Sequence, residues 1–151
     1  MAAAIDDDLA VRLDRVEAIE EIRRVLHGYG HAFDKRDLPW FLSLWTDDAE
    51  WSPGPDTLVR GRDAIRQLTA GLWDTVTASH HWSVNSVIDV DVVGGAATAV
   101  TDVHAMAGSA EGWAHTAATY RDTLRRVDGR WRLAKRETDI HRTIPVADPA
   151  G

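Results

Sequence analysis

Residues 79–91, SHHWSVNSVIDVD, mark the change in hydrophobic period that decides the fold. Upstream of Thr77, apolar residues recur at steps of three and four, as in amphipathic helices. From this stretch onward they alternate with a period of two, as in half-buried strands. The alternation predicts four consecutive strands, over residues 80–93, 96–107, 112–126 and 130–142.

The first half of the chain predicts three helices. The first has an apolar face with helical spacing, made of Val16, Ile19, Ile22, Leu26, Tyr29 and Phe33. A short second helix begins at residues 37–39, because Asp is a good N-cap and Pro is tolerated in the first turn. Residues 49–52 predict a short strand, and residues 61–63 open a third helix. Helices followed by a meander of long strands indicate an α+β fold in which a curved antiparallel sheet wraps a helix.

The length of 151 residues fits one domain, expected over residues 9–143, with a disordered N-terminus at 1–8 and a loose tail at 144–151. The net charge of -7 argues against a nucleic-acid partner, since phosphate binding requires a basic face. The absence of cysteine excludes disulfides and thiol chemistry. An acidic N-terminus and the lack of a long apolar run favour a cytoplasmic protein without membrane contact.

Two residues in different parts of the chain form a candidate catalytic pair. Asp34 ends the first predicted helix, and His81 begins the first long strand. A carboxylate that hydrogen-bonds an imidazole fixes its tautomer and raises its basicity. If the two side chains meet in the fold, they are equipped to remove a proton from carbon.

Several motifs together resemble a known family. They are residues 34–36 (DKR), 44–51 (LWTDDAEW), 61–65 (GRDAI) and 128–133 (DGRWRL), with His81 followed by Asn85. Over roughly residues 10–142 the chain resembles the SnoaL-like branch of the nuclear-transport-factor-2-like superfamily. The resemblance implies a cone-shaped α+β barrel, with the N-terminal helices packed in the curved sheet. It is nearest to the lyases with an Asp–His dyad, such as gamma-hexachlorocyclohexane dehydrochlorinase, scytalone dehydratase and bile-acid 7α-dehydratase.

The resemblance implies a role for each matching position. Asp34 would be the carboxylate, His81 the base, Trp51 a pocket wall and Arg136 a catalytic cation. Tyr29 stands where the dehydrochlorinase has lysine, which favours an oxygen leaving group or a carbonyl over chloride, because a tyrosine hydroxyl can hydrogen-bond such an oxygen.

Strand alternation predicts the neighbours of these residues. Asn85 shares a face with His81, whereas His80 points the opposite way. Phe33, on the apolar face of the first helix, joins Trp51 and Asn85 as a predicted pocket residue. Arg136 is in conflict with this rule, because Trp131 and Leu133 look core-facing and strict alternation then places it outside. Only a bulge brings Arg136 into the pocket.

These observations predict a cofactor-independent lyase, of the dehydratase type, acting on a small hydrophobic cyclic molecule. A double-bond isomerase or a cyclase for a polyketide-like or steroid-like ligand would use the same proton abstraction. The sequence is also compatible with a non-catalytic ligand-binding module and with the small β subunit of a ring-hydroxylating dioxygenase.

No metal or other cofactor is expected. His104, His115 and His141 lie on three successive predicted strands, but their spacing matches no metal-binding motif. The resemblance also implies a homo-oligomer, a trimer or a dimer.

Overall fold

A computed structural model of the chain describes residues 2–147. Three helices and six strands follow one another in the order α1 (Ala2–Asp34), α2 (Leu38–Ser43), β1 (Trp45–Gly54), β2 (Thr57–Arg60), α3 (Arg62–Thr75), β3 (Ala78–Asp91), β4 (Ala96–Ser109), β5 (Gly112–Val127) and β6 (Arg130–Val146). The predicted α+β class is confirmed. None of the helices in this described part is long and apolar enough to cross a membrane.

The six strands form one sheet in the order β2-β1-β6-β5-β4-β3. Neighbouring strands are antiparallel except β1 and β6, which pair in parallel and so depart from the expected all-antiparallel sheet. Helix α1 packs against β3 and β6, which lie far apart in the strand order. The sheet therefore curves around the helix.

The second half of α1 supplies much of the core. Its buried apolar residues are Ala18, Ile22, Val25, Leu26, Tyr29, Ala32 and Phe33. Val16, which the spacing assigned to the same face, is 63% exposed, and Leu13 is also exposed. The apolar face is thus covered only where the helix lies inside the curved sheet.

Capping explains where the two shorter helices begin. The Asp37 side chain accepts a hydrogen bond from the backbone N–H of Trp40 at 2.9 Å, which confirms it as the N-cap of α2. Gly61 precedes α3 with a φ of 84°, a conformation that glycine adopts readily. Both starts are those that the sequence predicted.

Irregularities in the strand register change which side chains face the barrel interior. Between β5 and β6, Thr123 pairs with Lys135 and Leu124 with Leu133, so Ala134 is an extra residue. A second irregularity, between β3 and β4, contains Asn85, whose φ is 54°. Beyond each irregularity, the alternation of inward-facing and outward-facing side chains along the strand is reversed.

Some expected boundaries were wrong. Residues 2–8 belong to α1 and not to a disordered segment; the alanines at its start have high helix propensity. Residues 144–146 belong to β6, because they pair with β5, whereas 148–151 lie outside the described residues. Residues 46–48, expected to break the chain, are part of β1, and β2 was not predicted.

The left-handed conformation of Asn85 yields a test of the bulge. We expect Asn85→Val to lower the free energy of unfolding by about 1–2 kcal/mol, because a β-branched residue is strained at positive φ. Asn85→Gly is the matched control and should leave stability unchanged or slightly raised. Urea denaturation measures both, and equal effects of the two substitutions would contradict the assigned bulge.

Candidate active site

The structure brings Asp34 and His81 into direct contact. Asp34 is the last residue of α1, and His81 lies near the start of β3. The His81 Nδ1 atom is 2.6 Å from Asp34 Oδ1, and the His81 backbone N–H donates to Asp34 Oδ2 at 2.8 Å. Ser79 Oγ also donates to Asp34 Oδ1, at 2.7 Å. The carboxylate is therefore held by three hydrogen bonds from one strand.

Gly30 allows this contact to form. A Cβ atom added at Gly30 would lie 2.9 Å from the Cβ of His81, closer than real Cβ contacts. Glycine inside a helix costs about 1 kcal/mol relative to alanine. Here its missing side chain lets α1 approach β3 closely enough for Asp34 to reach His81.

The surroundings of Asp34 favour its ionised form. Burial by itself raises the pKa of the carboxyl, but the hydrogen bond and charge of His81, with the bonds from Ser79 and the His81 backbone, lower the pKa below its ordinary value of 3.8. An ionised carboxylate only accepts hydrogen bonds, so the His81 Nδ1 atom carries the proton. The Nε2 atom of a neutral His81 is then left with its lone pair available as a base.

His81 lies on the wall of an apolar pocket of about 250 Å³ between α1, α3 and the sheet. Phe33, Trp51 and Tyr29, three of the predicted site residues, also line it. The rest of the wall is mostly apolar, with Pro53, Leu72, Val76, Val103, Ala105, Met106, Ala107, Ala118 and Ile140. This composition suits a small hydrophobic ligand.

Beside the pocket, a buried guanidinium lies between two tyrosine rings. The Arg136 Cζ atom is 4.2 Å from the ring centre of Tyr29 and 4.1 Å from that of Tyr120. Asp122 binds Arg136 in a bidentate pair, accepting from Nε at 2.8 Å and from Nη2 at 2.7 Å. Both members of this pair are fully buried.

Burial sets the protonation of this cluster. It raises the pKa of the Tyr120 hydroxyl to about 12 and the pKa of Tyr29 well above its ordinary value, although the Arg136 charge acts in the opposite direction. For Arg136 itself burial lowers the pKa, but the Asp122 carboxylate more than offsets it, so the pKa is raised. At neutral pH both tyrosines are therefore neutral hydroxyls that can donate a hydrogen bond.

The conflict over Arg136 is resolved by the bulge. Because Ala134 is the extra residue in β6, Arg136 joins Leu133 on the inward face and has an exposure of 0%. Arg136 nevertheless does not line the apolar pocket. The two tyrosines that enclose it, Tyr29 and Tyr120, line the pocket instead. Arg136 thus lies inside the barrel, as the sequence predicted for the case of a bulge. It contacts the two tyrosines and Asp122 but does not line the pocket.

The prediction that Asn85 shares the face of His81 is wrong. Asn85 is exposed, and the bulge turns the half-buried Ser86 and Ile88 inward in place of Asn85 and Val87. His80 points outward, as expected, and is exposed beside Trp82. We therefore leave Asn85 out of the candidate site.

Sequence reasoning missed four residues around the site. Ser79 and Gly30 position the dyad, and Tyr120 and Asp122 enclose Arg136. Alternation could have found Ser79, two residues before His81, as well as Tyr120 and Asp122, which share the inward face of β5 with Leu124. Gly30 carries no local signal, because its partner is distant in the sequence.

Three histidines of the later strands, His104, His115 and His141, do not line the apolar pocket. His104 and His115 hydrogen-bond each other across β4 and β5 at 2.9 Å, and His141 bonds Thr119 at 2.8 Å. In the part of the chain that the structure describes, no group of three or more His, Cys, Asp or Glu side chains is arranged to hold a metal ion.

Comparison with known proteins yields a family and several relatives. Residues 14–137 match the SnoaL-like domain family. The chain is 28% identical over 141 residues to gamma-hexachlorocyclohexane dehydrochlorinase of Sphingobium indicum, covering 89% of this chain and 88% of that protein.

Solved structures of similar proteins have the same fold. One is a hexachlorocyclohexane dehydrochlorinase of type 2, with a TM-score of 0.84, 25% identity and coverage of 90% and 93% of the two chains. Another is a candidate scytalone dehydratase from Novosphingobium aromaticivorans, with a TM-score of 0.80, 23% identity and coverage of 89% and 91%. The second likeness concerns the fold alone.

The close approach at Gly30 yields a stability test. We expect Gly30→Ala to lower the free energy of unfolding by about 1–3 kcal/mol, because the added methyl group forces α1 away from His81. Gly71→Ala in α3 is the control. No atom of the described part of the chain lies within 4 Å of its added Cβ, so this substitution should stabilise the fold by up to about 1 kcal/mol. Denaturant midpoints measure both, and stabilisation by both substitutions would contradict a tight contact.

The lowered pKa of Asp34 yields a pH test. A carboxyl with a lower pKa in the folded state stabilises the fold above its unfolded value of 3.8, and this contribution is lost as the pH falls through the folded pKa. We therefore expect the wild type to be more stable than Asp34→Asn at about pH 6 and the difference to shrink by about pH 3. Denaturation at both pH values measures it; a difference independent of pH would contradict the assignment.

Proposed function

Because the chain belongs to the SnoaL-like domain family, we propose that it is a cofactor-independent lyase of the dehydratase type, acting on a small hydrophobic cyclic molecule. One observation carries the proposal: the 2.6 Å contact between His81 Nδ1 and Asp34 Oδ1 on the wall of an apolar pocket. Relatives named as dehydrochlorinases support a lyase or isomerase role more generally.

In the proposed reaction His81 is the base. Its Nε2 atom removes a proton from a ring carbon next to the carbon that bears the leaving oxygen. The electron pair of the broken C–H bond forms the C=C bond, and the C–O bond breaks. The imidazolium then returns its proton to the departing hydroxide, so that water leaves and His81 is neutral again.

Asp34 acts through His81. Its carboxylate keeps the proton on Nδ1 and stabilises the positive charge that forms on the ring during proton transfer. The half-buried pair is largely shielded from water, with 14% of each side chain exposed, which strengthens the attraction between these charges.

Tyr29 is the proposed donor to the oxygen of the substrate. It lines the pocket, its ring centre is 6.1 Å from that of His81, and its raised pKa keeps the hydroxyl protonated. Arg136 is better described as a positioning residue for Tyr29 and Tyr120, because it does not line the pocket. This placement revises the direct catalytic role expected for Arg136.

A double-bond isomerase is the second candidate, and the two buried tyrosines favour it. Tyr29 and Tyr120, whose ring centres are 5.5 Å apart, both line the pocket as neutral hydroxyls. Two such donors would stabilise the enolate that forms when His81 removes a proton next to a carbonyl. The lyase and the isomerase share this step and differ in whether a group departs.

The proposed role of His81 is tested with cyclic β-hydroxy ketones, whose elimination is followed by enone absorbance, and with 1-tetralone, whose α-hydrogens exchange in D₂O as followed by NMR. We expect His81→Gln to lower the faster of these activities by about 100-fold or more, because the base is lost. Asp34→Asn should lower it by at least about tenfold.

His80→Gln is the matched control, since His80 is adjacent but exposed on the opposite face. Its activity should stay within about twofold of the wild type, a difference far below the effect of losing a general base. Activity retained by His81→Gln would contradict the assigned base. Ligand binding without elimination or exchange would favour the non-catalytic binding module.

The homo-oligomeric state, a trimer or a dimer, stays a prediction. Sedimentation equilibrium of the purified chain measures it directly. The cytoplasmic location also stays a prediction.

A further inference from the structure

A second cleft lies away from the apolar pocket and has a different character. It has a volume of about 300 Å³ and is lined by Glu21, Val25, Ser43, Arg62, Arg130, Trp131 and Arg132; we call it the arginine cleft. It shares no lining residue with the apolar pocket. Val25 precedes Asp34 by nine residues of α1, or about 14 Å along the helix axis.

Positive charge dominates the arginine cleft, although the whole chain carries a net charge of -7. Three arginines and one acidic residue, Glu21, line it. Among the residues that the structure describes, Arg130 and Arg132 form no ion pair. Arg62 pairs with Asp47 at 2.7 Å.

Two further donors, Trp131 Nε1 and Arg62 Nε, are buried without a partner among the described residues and have no surface in the arginine cleft. Glu21 Oε1 already accepts from the backbone N–H of Trp131, at 3.1 Å. A compact group rich in acceptor oxygens would therefore accept from the guanidinium groups of Arg130 and Arg132 and balance their positive charge.

We propose that the arginine cleft binds a small dianion, either a phosphate group or a dicarboxylate. Arginine suits both, because its planar guanidinium donates two parallel hydrogen bonds to a pair of oxygens. Arg130 and Arg132 are two residues apart on β6 and so project to the same side of the strand. The site is independent of the dyad and does not rest on the proposed lyase function.

Calorimetric titration of the whole chain with inorganic phosphate, and separately with succinate, tests the proposal at constant ionic strength set with chloride. We expect one of the two anions to bind with a dissociation constant of about 1 mM or lower. Tighter phosphate binding would identify a phosphate-bearing ligand, and tighter succinate binding a dicarboxylate. The proposal is overturned if neither anion gives a binding signal up to about 10 mM.

Two substitutions locate the binding. Arg132→Gln should weaken anion binding by about tenfold or more, since a charge-assisted pair is lost. Arg130→Gln should have the same effect. Because Arg130 is exposed, this second variant replaces the first if Arg132→Gln does not fold. Arg142→Gln is the control, because it makes the same charge change ten residues further along β6, up to about 33 Å away. An equal loss in the control would show a general charge effect and refute the site.

A spectroscopic measurement adds a local readout. In ¹H–¹⁵N spectra the indole N–H signal of Trp131, assigned by its absence in Trp131→Phe, should shift on anion addition. The indole signal of Trp82, which is exposed on β3, should not shift. A shift of the Trp82 signal alone would place the anion elsewhere and contradict the proposal.

Discussion

The three hydrogen bonds that Asp34 accepts from Ser79 and His81 hold the end of α1 against β3. β3 is the last strand in the sheet order, so its outer edge has no neighbouring strand within residues 2–147, and the carboxylate takes one of its backbone N–H groups. The same contact orients the imidazole. Packing of the helix and orientation of the imidazole therefore depend on one side chain, and Gly30 supplies the space that this arrangement requires.

The second constraint is the inward position of Arg136. A buried guanidinium is unfavourable unless it is paired and hydrogen-bonded, and here Asp122 and the two tyrosine rings supply the compensation. Burial keeps the two tyrosine hydroxyls beside the apolar pocket neutral, although the Arg136 charge lowers their pKa values. The polar interior of the barrel thus supports the pocket wall, and the proposed catalytic groups, His81 and Tyr29, line the pocket itself.

Much of this arrangement was predictable from sequence, because the signals were local. The change of hydrophobic period located the long strands, and the Asp37 cap located α2. Asp34 and His81 were identified by their types and by the motifs around them. The predictions failed where alternation was assumed to be unbroken: Asn85 is exposed because a bulge with a positive φ interrupts β3.

The sequence by itself determined the α+β class, the order of the helices and of the four long strands, the apolar face of α1 and the identity of the residues able to form the dyad. Tertiary structure decided which of them meet. The distance between Asp34 and His81 depends on the close approach at Gly30, and the inward turn of Arg136 depends on one extra residue, Ala134, in β6. Both depend on contacts between segments far apart in the chain, and such contacts leave no periodic trace in either segment alone.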